Sequence, residues 1–253
     1  MIEKKHYTEE FYNDHQEGSY ISAQEILEYV NDIFHPHSVV DVGCGVGYWL
    51  KVWNEKFKIK DVFGLEGPYI TESMLKIPGE FVQFLDLKKP FNLNRKFDLA
   101  MSLEVAEHLP ESCSDSFIQS LTQLSDVILF SAAIIGQEGT YHINEQMPEY
   151  WAKKFKKYNY VPIDYLRPKI WTNEKIDWWY RQNILIYLKQ DRVGEYPMLK
   201  RAYETTSAEN LFRIQPWLYL YKLKRIQKTE SIGSFILWKL YPVKKFFQKI
   251  FKK

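Results

Sequence analysis

Val39-Val40-Asp41-Val42-Gly43-Cys44-Gly45-Val46-Gly47 decides the fold of this 253-residue chain. An apolar run ends beside an acid, and three glycines then alternate with small residues ahead of a helix-like segment, Tyr48 to Phe57. Glycine has no Cβ and tolerates positive φ, so a strand stopping here brings bare backbone close to a ligand. The next helix opens with its N–H groups facing the same space. The dinucleotide fingerprint needs G-x-G-x-x-G. Here the spacing is G-x-G-x-G, and Tyr48 stands where the third fingerprint glycine would be. No Gly-Lys-Ser or Gly-Lys-Thr follows, which excludes a P-loop. A glycine loop is also compatible with a tight β–α turn that binds nothing, so the reading needs a second feature.

That feature is a series of short apolar segments, each running into an acid. Asp61-Val62-Phe63-Gly64-Leu65-Glu66-Gly67 puts Glu66 25 residues after Asp41, where a second parallel strand sets a carboxylate beside the first loop. A carboxylate there accepts from both hydroxyls of a ribose. Glu80 to Leu87 ends in Asp86-Leu87, and Phe97 to Leu103 runs into Glu104-Val105-Ala106-Glu107-His108. Val127 to Ser131 reads as a fifth strand, Tyr160 to Asp164 as a sixth and Asn183 to Leu188 as the last. Strands with polar carboxyl ends describe one edge of a doubly wound α/β sheet, and ligands bind at that edge. A first helix is expected from about Ser22 to Phe34, capped by Ser19 or Ser22, with Ile26, Leu27, Val30 and Ile33 buried.

In these motifs and their order the chain resembles the class I S-adenosylmethionine-dependent methyltransferases over roughly residues 15–190. The resemblance implies a seven-stranded, mostly parallel sheet with an antiparallel last strand. It implies S-adenosyl-L-methionine as cofactor, held by Asp41, Gly43, Gly45, Gly47, Glu66 and Gly67. Asp86 and Leu87 would flank the adenine, and Ser102, Leu103 and Glu104 would line the sulfonium end. The family more often carries Asp where this chain has Glu66.

The sulfonium methyl is already an activated electrophile, so the protein has to align an acceptor and exclude water. A hydroxyl acceptor also profits from a base, worth roughly 10²–10⁴-fold. Two histidines are candidates, His108 after the fourth strand and His142 after the fifth, and His142 is favoured. His142 belongs to Gly136-Gln137-Glu138-Gly139-Thr140-Tyr141-His142-Ile143-Asn144-Glu145-Gln146. This loop, with Pro148, Tyr150 and Trp151 after it, looks similar to one in methyltransferases of bacterial surface-polysaccharide assembly. Tyr141, Asn144 and Gln146 are therefore expected to bind substrate, together with Trp179 and Arg181, the latter available to a phosphate. Asn144 and Gln146 can equally serve turn and cap chemistry before Pro148. No pair of acids has diagnostic metal spacing, and no metal site is expected.

Composition bounds the rest. The chain is 45% apolar and 17% aromatic with a formal charge of +2, enough for one α/β domain plus an appendage and no global case for nucleic acid. Cys44 and Cys113 are the two cysteines, which argues against a disulfide scaffold and fits a reducing cytoplasm. Residues 1–190 are expected to form the methyltransferase domain, with an N-terminal lid over about 1–21, and 191–253 a helical, basic, aromatic appendage. From Lys222 to Lys253 ten Lys or Arg face one acid. Ile236, Leu240, Val243, Phe247 and Ile250 fall at near-helical spacing, interrupted at Pro242. Such an end suits peripheral contact of 235–253 with the inner membrane face, or docking on the protein's own surface or a dimer partner. Met1 to Lys5 carries no apolar run of the signal-peptide kind and no stretch of about 20 apolar residues occurs, so neither a signal peptide nor a transmembrane helix is expected. The sequence reading is thus an O-methyltransferase acting on a carbohydrate, phosphate-type or phosphoramidate oxygen of a nucleotide-activated precursor of a surface glycan. Its rivals are a small-molecule N-methyltransferase and a non-catalytic membrane-associated scaffold.

Overall fold

The computed structural model describes residues 9–229. Seven strands make one sheet: β1 (Ser38–Val42), β2 (Asp61–Glu66), β3 (Val82–Phe84), β4 (Leu99–Leu103), β5 (Val127–Ser131), β6 (Tyr160–Ile163) and β7 (Leu185–Lys189). Their order is β3-β2-β1-β4-β5-β7-β6. The pairings from β3 through β5 are parallel, and β7 runs antiparallel to both β5 and β6. The expected doubly wound sheet and antiparallel last strand are both present. β3 is shorter than the segment read from the sequence, because Gly79–Phe81 forms a 3-10 turn and Gln83 and Phe84 lie exposed at the sheet edge.

Both faces of the sheet are buried, so its strands read as continuous apolar runs with no polar face. Leu99, Met101, Val127, Leu129, Ile186 and Leu188 point into one core layer. Ala100, Ile128, Phe130, Leu185 and Tyr187 point into the other. The first layer is closed by α1 (Glu9–Phe34) and α2 (Tyr48–Glu55), whose Ile26, Leu27, Val30, Leu50 and Trp53 are buried there. The second is closed by α3 (Ser114–Leu124) and α4 (Pro148–Lys156). α5 (Arg167–Ile170), α6 (Trp178–Asn183) and α7 (Lys200–Thr205) complete the helices of this unit.

Two boundaries differ from expectation. α1 does not begin at Ser22 but runs unbroken from Glu9. Ser22 is fully buried inside it, and its hydroxyl accepts the Asp177 N–H at 2.9 Å instead of capping the helix. Of the expected lid, residues 9–21 are helical and 1–8 lie outside the described residues. The compact unit extends to Arg213, so the boundary expected near 190 falls inside it. Leu199 is wholly buried in the first core layer, with Val193 and Tyr196 packed against it. Arg167 ties the segment down from within. Its guanidinium, 1% exposed, binds both Asp164 oxygens (2.8 and 2.7 Å) and donates to the carbonyls of Gln182 (3.1 Å) and Leu211 (2.9 Å).

A second unit comprises Ile214–Lys253. Its described part is helical over 216–229, with Trp217 stacked on Tyr221 at 5.4 Å and Trp217, Tyr219 and Leu220 exposed. The basic stretch 235–253 lies outside the described residues. No described helix is long and apolar enough to cross a membrane.

Candidate active site

The loop after β1 is held by β2. The N–H groups of Gly43 and Cys44 donate to the Leu65 carbonyl at 2.8 and 3.2 Å. Gly43 has φ +80°, and a Cβ there would lie 2.4 Å from Cγ2 of Val105. Glu66 ends β2 almost fully buried; its carboxylate accepts the Gly45 N–H at 2.5 Å and the Gly67 N–H at 2.6 Å. Burial raises its carboxyl above the usual range, and the bonds from Gly67, Tyr69 and Gly45 oppose that. Asp41 is pushed to about 8, first by burial and then by the charge of Glu66. Burial lifts the Cys44 thiol well above its ordinary value, which leaves it unreactive. Its sulfur fills the space beside Gly64, where a Cβ would come within 2.7 Å.

Above the carboxyl ends of β1 to β5 lies a cavity of about 410 Å³. Asp41, Gly43, Gly45, Glu66 and Gly67 line it from β1 and β2, and Asp86 and Leu87 from beyond β3. Leu103, Glu104 and His108 line it from β4, Tyr141 and His142 from the loop after β5, and Trp179 from α6. The residues present suit an adenosyl cofactor: glycine backbone leaves the floor bare, and a buried carboxylate pinned by two N–H groups stands beside it, able to accept from hydroxyls.

Five expected site residues are placed elsewhere. Gly47 does not line the cavity; it is the N-cap of α2 with φ +92°. Ser102 is fully buried within β4, outside the lining. Asn144 donates to the Ala106 carbonyl (3.3 Å) and the Ser114 hydroxyl (3.2 Å), and Gln146 donates to Asn144 (2.9 Å). Asn144 thus fastens the loop to Ala106 and Ser114, Gln146 bonds within the loop, and neither lines the cavity; both arrangements are the turn chemistry that the sequence also allowed. Arg181 donates to the Trp171 carbonyl at 3.2 Å and is not part of the lining either.

The part of the cavity beyond β4 is built around the 3-10 turn Ala106–His108. Ile143 and Asn144 give their N–H groups to the Glu107 carbonyl (2.9 and 3.0 Å), which brings the loop after β5 onto this turn. His108 and His142 consequently meet edge to face with ring centroids 4.9 Å apart. His108 Nδ1 is 3.2 Å from the Tyr141 carbonyl, and His142 Nδ1 is 2.9 Å from Glu145. Glu145 also accepts the N–H groups of Gly136 and Glu138, both at 2.7 Å, and so clamps the loop. Burial, and then the neighbouring His142, lower His108 to about 4, so its imidazole is neutral at ordinary pH.

Glu104 stands between these parts in a left-handed conformation, φ +55°. That conformation is uncommon outside glycine and concentrates at functional sites. The Ser131 carbonyl and hydroxyl both receive or approach its N–H, at 3.0 and 3.1 Å. Its carboxylate accepts from Asn183 (3.1 and 3.2 Å) and Gln137 (3.2 Å). The sequence reading missed Gln137, Asn183 and Glu145 as positioning groups. Two residues beyond Arg181, it is Asn183 whose amide reaches Glu104. His142 and Glu145 at i, i+3 were the signal for an oriented imidazole.

Comparisons with known proteins bear on the family and the fold. A family model described as a methyltransferase domain matches residues 12–182. No curated protein sequence matches the chain. Among solved structures, the plantazolicin methyltransferase BpumL in complex with SAH is similar at 15% identity and TM-score 0.50, covering 73% of this chain and 89% of that one. Its complex with a pentazolic desmethylPZN analog and SAH gives 15% identity and TM-score 0.51, over 71% and 88%. The methyltransferase domain of bacterial CtHen1 gives 18% identity and TM-score 0.46, over 66% and 96%. The chain belongs to the methyltransferase domain family and is an S-adenosylmethionine-dependent methyltransferase.

Proposed function

We propose that this enzyme methylates a hydroxyl oxygen of a polyhydroxylated, ring-shaped acceptor, namely a carbohydrate in a nucleotide-activated precursor of a surface glycan. The observation that carries the reading is a single cavity that joins the glycine loop and Glu66 to the His108–His142 pair. When bound, S-adenosylmethionine supplies a methyl group on a sulfonium, and its transfer leaves S-adenosylhomocysteine. Glu66 and the loop at 43–45 hold the nucleoside side, while Leu103 and Glu104 border the transfer point. His142, oriented by Glu145, takes the acceptor proton at Nε2, the nitrogen left with a lone pair when Nδ1 donates. Trp178, Trp179 and Tyr141, which share the lining, give a sugar ring an apolar face to stack on. Arg181, expected to meet a phosphate, is turned to Trp171, which favours a neutral hydroxyl over a phosphate-type oxygen.

The test is incubation of the purified chain with S-adenosylmethionine and a panel of nucleotide sugars, with products identified by mass and NMR. A methyl ether on a sugar carbon supports the reading. Methylation confined to amines, or S-adenosylhomocysteine binding with no turnover on any hydroxylated acceptor, would replace it with the N-methyltransferase or the scaffold.

A further inference from the structure

The acceptor side of the cavity carries more buried charge than proton transfer requires. Glu107 is 0% exposed, and neither of its carboxylate oxygens finds a hydrogen bond of normal geometry among the described residues, although the Ala133 backbone and the Glu104 side chain approach it. A buried carboxylate without partners is costly, and such groups are normally paired or coordinate a metal. One donor atom each from Glu107, His108 and His142 lies within 4.8 Å of the others. The tautomers suit ligation. The Tyr141 carbonyl can only accept, so His108 carries its hydrogen on Nδ1; Glu145 imposes the same on His142. Both rings are left with the lone pair on Nε2, and imidazoles that bind metals donate their second N–H to a carbonyl or carboxylate in this way. Gly139 makes room, since a Cβ there would lie 2.3 Å from Nε2 of His142.

We propose that Glu107, His108 and His142, with Glu104 beside them, bind a divalent first-row transition-metal cation at the acceptor side of the cavity. Two carboxylates and a dication sum to zero charge, with both imidazoles neutral. Two nitrogen donors favour Co²⁺ or Zn²⁺, and less strongly Mn²⁺, over Mg²⁺ and Ca²⁺, which prefer all-oxygen shells. Three protein ligands beside an open cavity are the pattern of a catalytic metal, with positions left for oxygens of an acceptor. The role rests on the proposed function above: the cation orients the acceptor hydroxyl and lowers its pKa. Cation and proton compete for the same Nε2 lone pairs, so in the loaded site the hydroxyl proton leaves to water and His142 is a ligand rather than the base. The proposal departs from the sequence expectation of no metal site.

The experiment uses the full chain, dialysed against chelator and titrated with Co²⁺, Mn²⁺ and Mg²⁺, while S-adenosylhomocysteine affinity is measured in parallel. One equivalent of Co²⁺ should bind with visible d–d bands, and Mg²⁺ should bind far more weakly. Glu107→Gln should weaken Co²⁺ at least about tenfold, with S-adenosylhomocysteine affinity unchanged. On the native chain, substoichiometric Mn²⁺ should broaden the ring signals of two of the six histidines, which needs no variant. Co²⁺ and Mn²⁺ binding no tighter than millimolar, unselective histidine broadening, or undiminished binding by a folded Glu107→Gln chain would overturn the site. Full turnover by metal-free enzyme would overturn the cation's role. Failure of the native chain to bind S-adenosylhomocysteine would strike the methyltransferase reading instead and leave the metal titration standing.

Discussion

Gly43→Ala, compared with Gly136→Ala, isolates what the glycine loop contributes. Both glycines have φ +80°, so an alanine meets the same backbone strain at each, about 1–2 kcal/mol. A less flexible unfolded chain offsets about 0.4–1 kcal/mol of that in both. The surroundings differ. A Cβ at Gly136 has nothing within 4 Å, whereas at Gly43 it would meet Cγ2 and Cγ1 of Val105 at 2.4 and 2.7 Å. Val105 is 9% exposed and packed in the second core layer, so it cannot swing into solvent. Overpacking of this kind costs about 1–3 kcal/mol. Gly43→Ala should therefore lose about 1–3 kcal/mol more than Gly136→Ala in urea unfolding read by tryptophan fluorescence, with equal m-values. Because Val105 also lines the cavity, Gly43→Ala should weaken S-adenosylhomocysteine binding in calorimetry, and Gly136→Ala should not. Losses of stability that agree within about 0.5 kcal/mol would refute the reasoning, since the shared φ would then account for the whole effect.

Gly45→Val places a branched side chain at φ +56° beside Glu66 and should abolish S-adenosylhomocysteine binding; unchanged affinity would remove the loop from the cofactor site. His142→Ala should keep cofactor affinity near native and lower turnover at least about tenfold, and retained activity would dismiss it as base or ligand. Asp41 has a folded pKa of about 8, raised by burial above its ordinary 3.8, so between these values the native chain holds a proton that the unfolded chain has lost. Its contribution is present below pH 3.8 and lost as pH rises towards 8. The stability of ligand-free native chain relative to Asp41→Asn should accordingly fall from pH 5 to 8 in urea titrations, and a flat difference would count against a buried, ligand-free acid. Arg167→Ala leaves two carbonyls and the partly buried Asp164 carboxylate without their main donor, with Arg213 4.0 Å from Asp164, and should cost about 1–3 kcal/mol; a loss below about 0.5 kcal/mol would mean water or Arg213 replaces the guanidinium.

The strands and the cofactor end were legible because their signals are local. Val39 to Gly47, Asp61 to Glu66 and Phe97 to Glu104 each carry strand, turn and acid within a few residues, and parallel pairing through β1 sets their carboxyl ends side by side. The helix start was misread for the opposite reason. Ser22 looks like a cap from its neighbours, yet its hydroxyl is satisfied by Asp177, 155 residues away. In the same way Asn144, Gln146 and Arg181 have the chemistry of substrate ligands, and only the fold shows Asn144 bonded to Ala106 and Ser114, Gln146 to Asn144, and Arg181 to Trp171. The sequence by itself determined the sheet, the glycine loop and the supply of imidazoles and carboxylates, since periodicity and turn chemistry act over short spans. Tertiary structure alone decided which of those groups meet. Bringing Glu107 and His108 against His142 depends on backbone bonds between segments 36 residues apart, and no local pattern encodes which side chain then faces the cavity and which is consumed in holding it open.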